Sequence, residues 1–353
     1  MRCHRLKIDT RVVALKTLYT CVLGALGGYL AWWLNLPLPW MLGPLFLVTL
    51  LAIKGISVRV DRRVNRFFLG VLGFWLGTGF EASLLSEALH WYSSILLMVV
   101  SVAFTLVVNT WLFNRIAKLD LITSVFSSLP GTMNAVVIQG EQLGGDARWI
   151  AIAQTLRISL VVISTTLIFY FMPGQNLQGS SPEAGQVFDL IWLLLVPLGW
   201  WGARWLRIPM AEFLGPLMIS AVLAVSGIDI DLPGWVMMMT FVVLGSSIGS
   251  RFFGTQVREL LKVSVYAVLA TAIGMVIAAI MAAVTWTLTD IPLSHAFLAL
   301  VPGGVGEMAL IATVAGIDPI YVVFIHVFRM FVLILCTPLI SHLLGRYTRE
   351  TEP

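Results

Sequence analysis

Apolar positions along this chain gather into long runs that are separated by short polar segments. Six runs fill the N-terminal half, at about 12–34, 36–53, 64–80, 91–113, 121–140 and 149–172. Six more follow at about 188–206, 208–225, 235–250, 263–288, 295–315 and 319–344. Most of the runs approach the roughly 20 residues that a helix needs to cross a bilayer. The pattern predicts an all-α, polytopic membrane protein.

The two sets of runs are related by a duplication. Residues 42–157 align with residues 214–329 at a constant offset of 172 without a gap, and 23 of the 116 positions are identical. The matched residues include glycine, proline, aspartate and arginine, for example Leu42-Gly43-Pro44-Leu45 with Leu214-Gly215-Pro216-Leu217. Shared apolar bias does not produce such matches in fixed register, so each half is predicted to be one structural repeat.

The duplication and the polar segments divide the chain into five predicted parts. They are an N-terminal segment (1–11), a first membrane repeat (12–172), a polar linker (173–187), a second membrane repeat (188–344) and a C-terminal tail (345–353).

Composition agrees with a chain that faces lipid. Hydrophobic residues make up 59% of the 353 positions and charged residues 11%, with a mean hydropathy of +0.93. A soluble domain carries about 25% charged residues. The formal net charge is +4, but the basic residues lie in short loops between apolar runs. This distribution follows the positive-inside rule and does not predict a nucleic-acid partner.

Cysteine and histidine give no sign of a metal centre or a disulfide framework. The three cysteines, Cys3, Cys21 and Cys336, have no motif spacing, and the five histidines show no ligand spacing. No catalytic dyad stands out either. The sequence therefore predicts neither an enzyme nor a cofactor.

The charges of equivalent loops predict that the two repeats have opposite orientations. Loop 54–66 carries five basic residues and its partner 226–236 carries none; loop 81–90 carries none and its partner 251–262 carries three. Because basic loops stay on the cytoplasmic side, this alternation predicts an inverted repeat, as in many secondary transporters. It also predicts a cytoplasmic N-terminus in the bacterial inner (cytoplasmic) membrane.

An inverted repeat joined by a short linker needs an odd number of crossings in each half. Each half has six runs, so one of them must enter and leave on the same side. The candidates are 121–147 and 293–317, which are interrupted at Leu129-Pro130-Gly131 and Val301-Pro302-Gly303-Gly304. Arms of 10–14 residues are too short to cross. The sequence thus predicts about ten transmembrane helices plus two re-entrant hairpins; the alternative keeps each candidate as one broken span.

Two arginines are the first candidates for a functional role. Arg157 and Arg329 occupy equivalent positions about ten residues inside apolar runs, where an arginine is costly unless it faces a partner or a wet cavity. One helical turn earlier, on the same face, the repeats place Gln154 and His326. The arginines either bind a solute or snorkel and pair with helix-end carbonyl groups, and the sequence leaves both roles open.

The glycine-rich breaks are the second candidates. Backbone N–H groups and positive helix ends at such a break suit an anionic group. The alternative is that each break is a plain packing kink. Glu307, opposite Ala135 of the first repeat, is the one carboxylate in its element. It carries a proton, pairs with an arginine or lies at the interface. The predicted substrate-binding set is Arg157, Arg329, Pro130, Gly131, Pro302, Gly303, Gly304, Glu307, Gln154 and His326.

Other duplicated residues have structural explanations. Asp146 and Asp318 each precede an apolar helix and are predicted to cap it, the second with a proline at the first helical position. Gly43-Pro44 and Gly215-Pro216 are predicted to start or kink a helix and to permit close packing.

The duplicated Leu-Gly-Pro, Pro-Gly and Gly-x-Asp elements resemble the Gram-negative AbrB-type membrane family, over about residues 15–344. Members carry labels such as regulator of gene expression or ammonia monooxygenase, and the resemblance implies kinship with transporters built from inverted repeats and broken helices. It brings no established site residues. Soluble regulators of the same name are small basic DNA-binding β-proteins, unlike this chain. A monooxygenase would need a metal-binding cluster of histidines or carboxylates, which the chain lacks.

These observations favour a secondary transporter or exporter of a small anionic solute, with or without a coupling ion. The bilayer and the solute are then its partners, and the oligomeric state stays open. The alternative is a membrane-embedded regulator or sensor that affects gene expression without binding DNA, as the family label implies. A sensor needs a signalling surface, and the longest polar stretch is the linker 173–187. The sequence therefore favours transport.

Overall fold

A computed structural model describes residues 10–81, 91–130, 133–172 and 186–351. These residues contain no strand. Their α-helices are α1 (Thr10–Trp33), α2 (Pro39–Ile53), α3 (Arg62–Thr78), α4 (Tyr92–Trp111), α5 (Leu121–Ser128), α6 (Met133–Gln142), α7 (Ala147–Phe171), α8 (Leu195–Trp205), α9 (Ala211–Val225), α10 (Gly234–Ser250), α11 (Val257–Leu288), α12 (Leu293–Leu300), α13 (Val305–Val314) and α14 (Pro319–Thr351). A π-helical turn, Leu112–Ile116, extends α4, and a 3₁₀ segment, Val187–Leu194, precedes α8.

Six helical segments in the described residues are long and apolar enough to cross a membrane. They are Arg11–Trp33, Tyr92–Ile116, Ala147–Phe171, Val187–Trp205, Val257–Leu288 and Pro319–Gly345. Their large apolar side chains point outward in many places, as Leu96 and Phe104 do on α4. The prediction of a helical, multi-pass membrane protein is confirmed.

The helix bounds repeat at the same offset as the sequence. Pro39–Ile53 and Ala211–Val225 are 172 residues apart at both ends, and so are Arg62–Thr78 and Gly234–Ser250. The same holds for α5 with α12 and for α6 with α13. Because caps, prolines and glycines are the residues that set helix ends, their duplication reproduces the same segmentation in both repeats.

The chain folds into two compact units, and each unit takes equivalent parts from both repeats. The first unit contains α1–α3 and α8–α10; the second contains α4–α7 and α11–α14. The second unit therefore contains the helix breaks at Pro130 and Pro302 and the arginines Arg157 and Arg329.

Glycine contacts hold the helices of the first unit together. A Cβ atom added to Gly27 in α1 would lie 2.6 Å from the carbonyl oxygen of Gly43 in α2. The equivalent residues of the second repeat meet in the same way, since a Cβ atom on Gly199 would lie 2.8 Å from the carbonyl carbon of Gly215. In both repeats, two helix backbones touch without intervening side chains. The predicted close packing at Gly43 and Gly215 is confirmed.

Aspartate caps start the long helices of the second unit. The carboxylate of Asp146 accepts the N–H groups of Arg148 (2.9 Å) and Trp149 (3.1 Å) at the start of α7. The carboxylate of Asp318 accepts the N–H of Ile320 at 2.8 Å at the start of α14. Both predicted caps are confirmed, and each anchors a helix that carries one of the two arginines.

The cap residues are themselves held by equivalent side chains. The backbone N–H of Asp146 donates to Thr123 Oγ1 (2.8 Å), and that of Asp318 donates to His295 Nε2 (3.3 Å). A neutral imidazole is the form that can accept this hydrogen bond. His295 thus does in the second repeat what a threonine hydroxyl does in the first.

Candidate functional site

The second unit contains two helix breaks at equivalent positions. The helix α5 ends at Ser128 and α6 begins at Met133; α12 ends at Leu300 and α13 begins at Val305. Pro130 and Pro302 lie in these four-residue gaps, where the missing N–H of proline prevents the helix from continuing. Gly131 lies outside the described residues, as does the side chain of Met133.

Side chains of α13 fold back over the glycines of the second break. A Cβ atom on Gly303 would lie 2.7 Å from Met308 Cγ, and one on Gly304 would lie 3.0 Å from Glu307 Cδ. Gly304 has φ −83° and ψ 151°, an extended conformation open to any residue. The glycines therefore leave room for the side chains of Met308 and Glu307, which a larger residue would displace.

At each break, an arginine binds the carbonyl group at the end of the short helix that precedes the break, α5 in the first repeat and α12 in the second. These short helices and their partners α6 and α13 are called half-helices below. Arg157 Nη1 donates to the carbonyl oxygen of Leu129 at 3.1 Å. Arg329 Nη1 donates to the carbonyl oxygen of Val301 at 2.8 Å, and its Nη2 donates to that of Gly303. Leu129 and Val301 are equivalent residues and are the C-caps of α5 and α12. Each guanidinium group thus lies at the negative end of a half-helix.

Gln154 and His326 lie one turn before the arginines on α7 and α14, and Gln154 binds the same helix end as Arg157. Gln154 Nε2 donates to the carbonyl oxygens of Phe126 (2.8 Å) and Leu129 (2.9 Å). His326 Nδ1 lies 3.0 Å from the carbonyl oxygen of Val322, an acceptor, so this nitrogen carries the proton. Its Nε2 then holds a lone pair.

Several polar atoms of these four side chains remain without a hydrogen-bond partner in the described residues. They are Arg157 Nε, Arg329 Nε, Gln154 Oε1 and His326 Nε2. Arg329 is only 3% exposed, and Gln154 and His326 are fully buried. A buried polar group without a partner costs about 1–3 kcal/mol, so a bound solute or water would stabilise this arrangement.

Electrostatics determines which kind of solute would be stabilised. The two guanidinium groups interact electrostatically with each other, and like charges repel. Among the described residues, no carboxylate lies within 4.0 Å of either arginine. A negatively charged group placed beside them would relieve the repulsion and accept hydrogen bonds.

Glu307 is the acidic residue of the second break, and its carboxylate lies more than 4.0 Å from both arginines. Its carboxylate covers Gly304 in the first turn of α13, where a negative charge is favourable to the helix. Of the three roles that the sequence left open, an ion pair with an arginine is not formed in the described residues.

Most of the chain matches one known family. Residues 40–345 match the model of the family described as transition state regulatory protein AbrB. The chain belongs to this family. The resemblance seen in the duplicated motifs is thereby confirmed, and the match spans both repeats.

Two curated relatives cover almost the entire length of this AbrB-family chain. The "Putative regulator AbrB" of Escherichia coli (strain K12) is 28% identical over 347 aligned positions, which cover 93% of this chain and 96% of the relative. The "Uncharacterized protein YhjN" of Bacillus subtilis (strain 168) is 25% identical over 365 positions, which cover 94% of each chain.

One polar surface of this AbrB-family protein was missed in the sequence. The buried face of α4 consists of Ser94, Met98, Ser101, Thr105 and Asn109, whereas its exposed face is apolar. Asn109 Nδ2 donates to the carbonyl oxygen of Ala270 at 3.2 Å. Ser94 Oγ accepts a hydrogen bond from the Tyr321 hydroxyl at 3.0 Å. The spacing of four or three residues within an apolar run was the signal that could have revealed this face.

The polar face of α4 reaches the second break. A Cβ atom added to Gly274 in α11 would lie 3.3 Å from Pro302 Cγ and 3.5 Å from Thr105 Cγ2. Thr105 and Pro302 therefore meet at the same point of α11. The second break thus adjoins buried hydroxyl and amide groups as well as a guanidinium group.

Proposed function

We propose that this protein is a secondary carrier that moves a small anionic solute across the bacterial inner membrane. One observation carries the proposal. Two arginines at equivalent positions of a duplicated membrane protein lie at helix breaks in one unit, and each keeps a buried, unpartnered Nε–H group. A buried cation with spare donors and no carboxylate beside it is a suitable partner for an anion.

A charge balance narrows the class of solute. A helix carries about −0.5 charge at its C-terminus and about +0.5 at its N-terminus, so the two half-helix ends at each break roughly cancel. The arginines then contribute two positive charges, and an ionised Glu307 contributes one negative charge. The site as a whole therefore carries a net positive charge and favours a small anion.

The proposed architecture is two inverted repeats with about ten crossings and two re-entrant hairpins. The half-helices α12 and α13 have 8 and 10 residues. At 1.5 Å per residue each is about half as long as the roughly 30 Å hydrocarbon core is thick. Carriers with inverted repeats place their solute site at such broken helices and expose it alternately to the two sides.

The second candidate function is regulation of gene expression from the membrane, favoured by the printed names of the family and of the E. coli relative. A carrier that changes the concentration of a metabolite also changes expression, so the names are compatible with transport. The two functions differ in one respect: a carrier needs the arginines to bind the solute itself.

Thermal unfolding of the purified protein with a panel of small anions tests the proposal. The panel contains monocarboxylates, dicarboxylates, inorganic phosphate and sulfate, each compared with a neutral analogue at constant ionic strength. At least one anion class is expected to raise the Tm, because a ligand at 100 times its Kd stabilises the folded state by about 2.7 kcal/mol.

Neutral amides of the same acids serve as the controls and are expected to have no effect. The proposal of an anion carrier is contradicted if no anion in the panel raises the Tm. It is also contradicted if the neutral amides raise the Tm as much as the anions do.

Membrane topology supplies a separate prediction. Ser57 and Asp231, both exposed, lie in equivalent loops with opposite basic content. In a background without native cysteines, Asp231→Cys is expected to react with an impermeant maleimide in intact cells. Ser57→Cys is expected to react only after permeabilisation, because its loop is basic and stays inside. Equal labelling of the two sites would contradict the opposite orientation of the two repeats.

A further inference from the structure

The carbonyl groups at broken helices are where many carriers bind their coupling cation. Half-helix C-terminal ends and unwound backbone present oxygens that coordinate Na⁺ or are coupled to H⁺. In this protein those oxygens already have a cationic partner. We infer that Arg157 and Arg329 are built-in cations that fill the cation-binding ends of both broken helices, so that the protein has no site for a free Na⁺ or K⁺ ion there.

The hydrogen bonds at the second break support this inference directly. Arg329 binds two carbonyl oxygens through two different nitrogens: Nη1 binds Val301 at 2.8 Å, and Nη2 binds Gly303. One oxygen belongs to the C-cap of α12 and the other to the unwound segment that follows. A small metal cation at this place would need the same two oxygens.

The first break is filled in the same manner with different side chains. The carbonyl oxygen of Leu129 accepts from Arg157 Nη1 at 3.1 Å and from Gln154 Nε2 at 2.9 Å. Both lone pairs of that oxygen are thereby used. Gln154 Nε2 also donates a hydrogen bond to the carbonyl oxygen of Phe126 at 2.8 Å.

The chemistry of the surrounding side chains also disfavours a free cation. Among the described residues, no carboxylate lies within 4.0 Å of either arginine to offset a further positive charge. The guanidinium groups would repel a second positive charge. The consequence for transport, namely coupling without Na⁺ or K⁺, rests on the proposed carrier function, whereas the occupation of the carbonyl groups does not.

The wild-type protein gives the first test. The purified full-length protein is unfolded thermally in NaCl, KCl and choline chloride at equal concentration. The same Tm is expected in all three salts, because the helix-end carbonyl groups at both breaks already have a cationic partner. A Tm that rises with NaCl or KCl, but not with choline chloride, would overturn the inference.

Removal of one built-in cation gives the second test. Arg329→Ala removes the arginine donor to the buried carbonyl oxygen of Gly303 and one of the two donors to that of Val301, which keeps the N–H of Gly303. Its Tm is expected to fall by about 4–8 °C. Guanidinium chloride, at concentrations far below those that denature, is expected to restore part of this loss because the free ion fits the vacated position.

Arg148→Ala is the matched control. Arg148 is on the same helix as Arg157, but its side chain is 80% exposed, 3.8 Å from Glu259. Its variant is expected to keep the wild-type Tm and to show no rescue by guanidinium. An Arg329→Ala variant as stable as Arg148→Ala, or one without rescue, contradicts the inference.

If Arg329→Ala yields no folded protein, Arg157→Ala takes its place, with the same expected loss and rescue. Chloride is the only anion in these measurements, and NaCl at the same concentration controls for it. If no anion raises the Tm but guanidinium restores the stability of the Arg329→Ala variant, the proposed carrier is refuted and the inference of built-in cations is supported. If an anion raises the Tm and NaCl also raises it, the proposed carrier is supported and the inference of built-in cations is refuted.

Discussion

Replacing both Arg157 and Arg329 by lysine is expected to remove the stabilisation by anions while the protein stays folded in the membrane. A lysine ammonium group can still donate to a helix-end carbonyl, so the half-helices keep their partner. It lacks the planar fork and the Nε–H that both arginines hold free, so an anion loses its bidentate contact. Anion affinity is expected to fall by about tenfold or more, measured from the anion-induced rise in Tm.

The control for this double variant is Arg148→Lys, at an exposed position of the same helix as Arg157. Its anion response is expected to equal that of the wild type. If the double lysine variant also responds like the wild type, the arginines serve the helix ends alone and the anion site lies elsewhere. Alanine is the less informative substitution here, because it removes the carbonyl partner together with the solute contact.

Gly27→Ala is expected to destabilise the first unit strongly. Its new methyl group would lie 2.6 Å from the carbonyl oxygen of Gly43 and 2.9 Å from Leu47 Cβ, so α1 and α2 would have to separate. Overpacking in a tight core typically costs 1–3 kcal/mol, and a contact with backbone cannot be relieved by a rotamer change. We expect the free energy of unfolding to fall by about 3 kcal/mol, with a matching loss of folded protein in size-exclusion chromatography.

Two further glycine variants complete this test. Gly199→Ala, the equivalent change in the second repeat, is expected to have an effect in the same direction. Gly202→Ala lies in the same helix as Gly199 but has no atom within 4 Å of the added methyl group. It is expected to be neutral or slightly stabilising, since alanine is the better helix former. Equal stability of Gly27→Ala and Gly202→Ala would contradict the backbone contact.

Local features of the fold could be predicted from the sequence because they depend on local signals. Proline at 130 and 302 and the aspartate caps at 146 and 318 fix helix ends through their own backbone chemistry, and the structure has helix ends there. The start of α11 was less predictable. It begins at Val257, six residues before the apolar run at 263, because its first turns carry Arg258, Glu259 and Lys262 and face solvent.

Long-range pairing could not be predicted, since hydrophobic periodicity does not tell which helices meet. The sequence placed Arg157 and Arg329 inside apolar runs but left open whether they bind solute or carbonyl groups. The structure shows that some of their donors bind carbonyl groups and that Nε remains unpartnered, so the two roles do not exclude each other. Gly27 and Gly199 are also 172 residues apart, a match that was missed in the sequence and that could have revealed the tight contacts of the first unit.

The distribution of metabolites between cells and medium tests the carrier most directly. Cells that lack the protein are compared with cells that produce the wild type or the double lysine variant at equal membrane level. The account predicts that the wild type alone shifts at least one small anionic metabolite across the membrane, and that the double variant resembles the empty vector. An unchanged distribution with the wild type, or the same shift with the double variant, would contradict it.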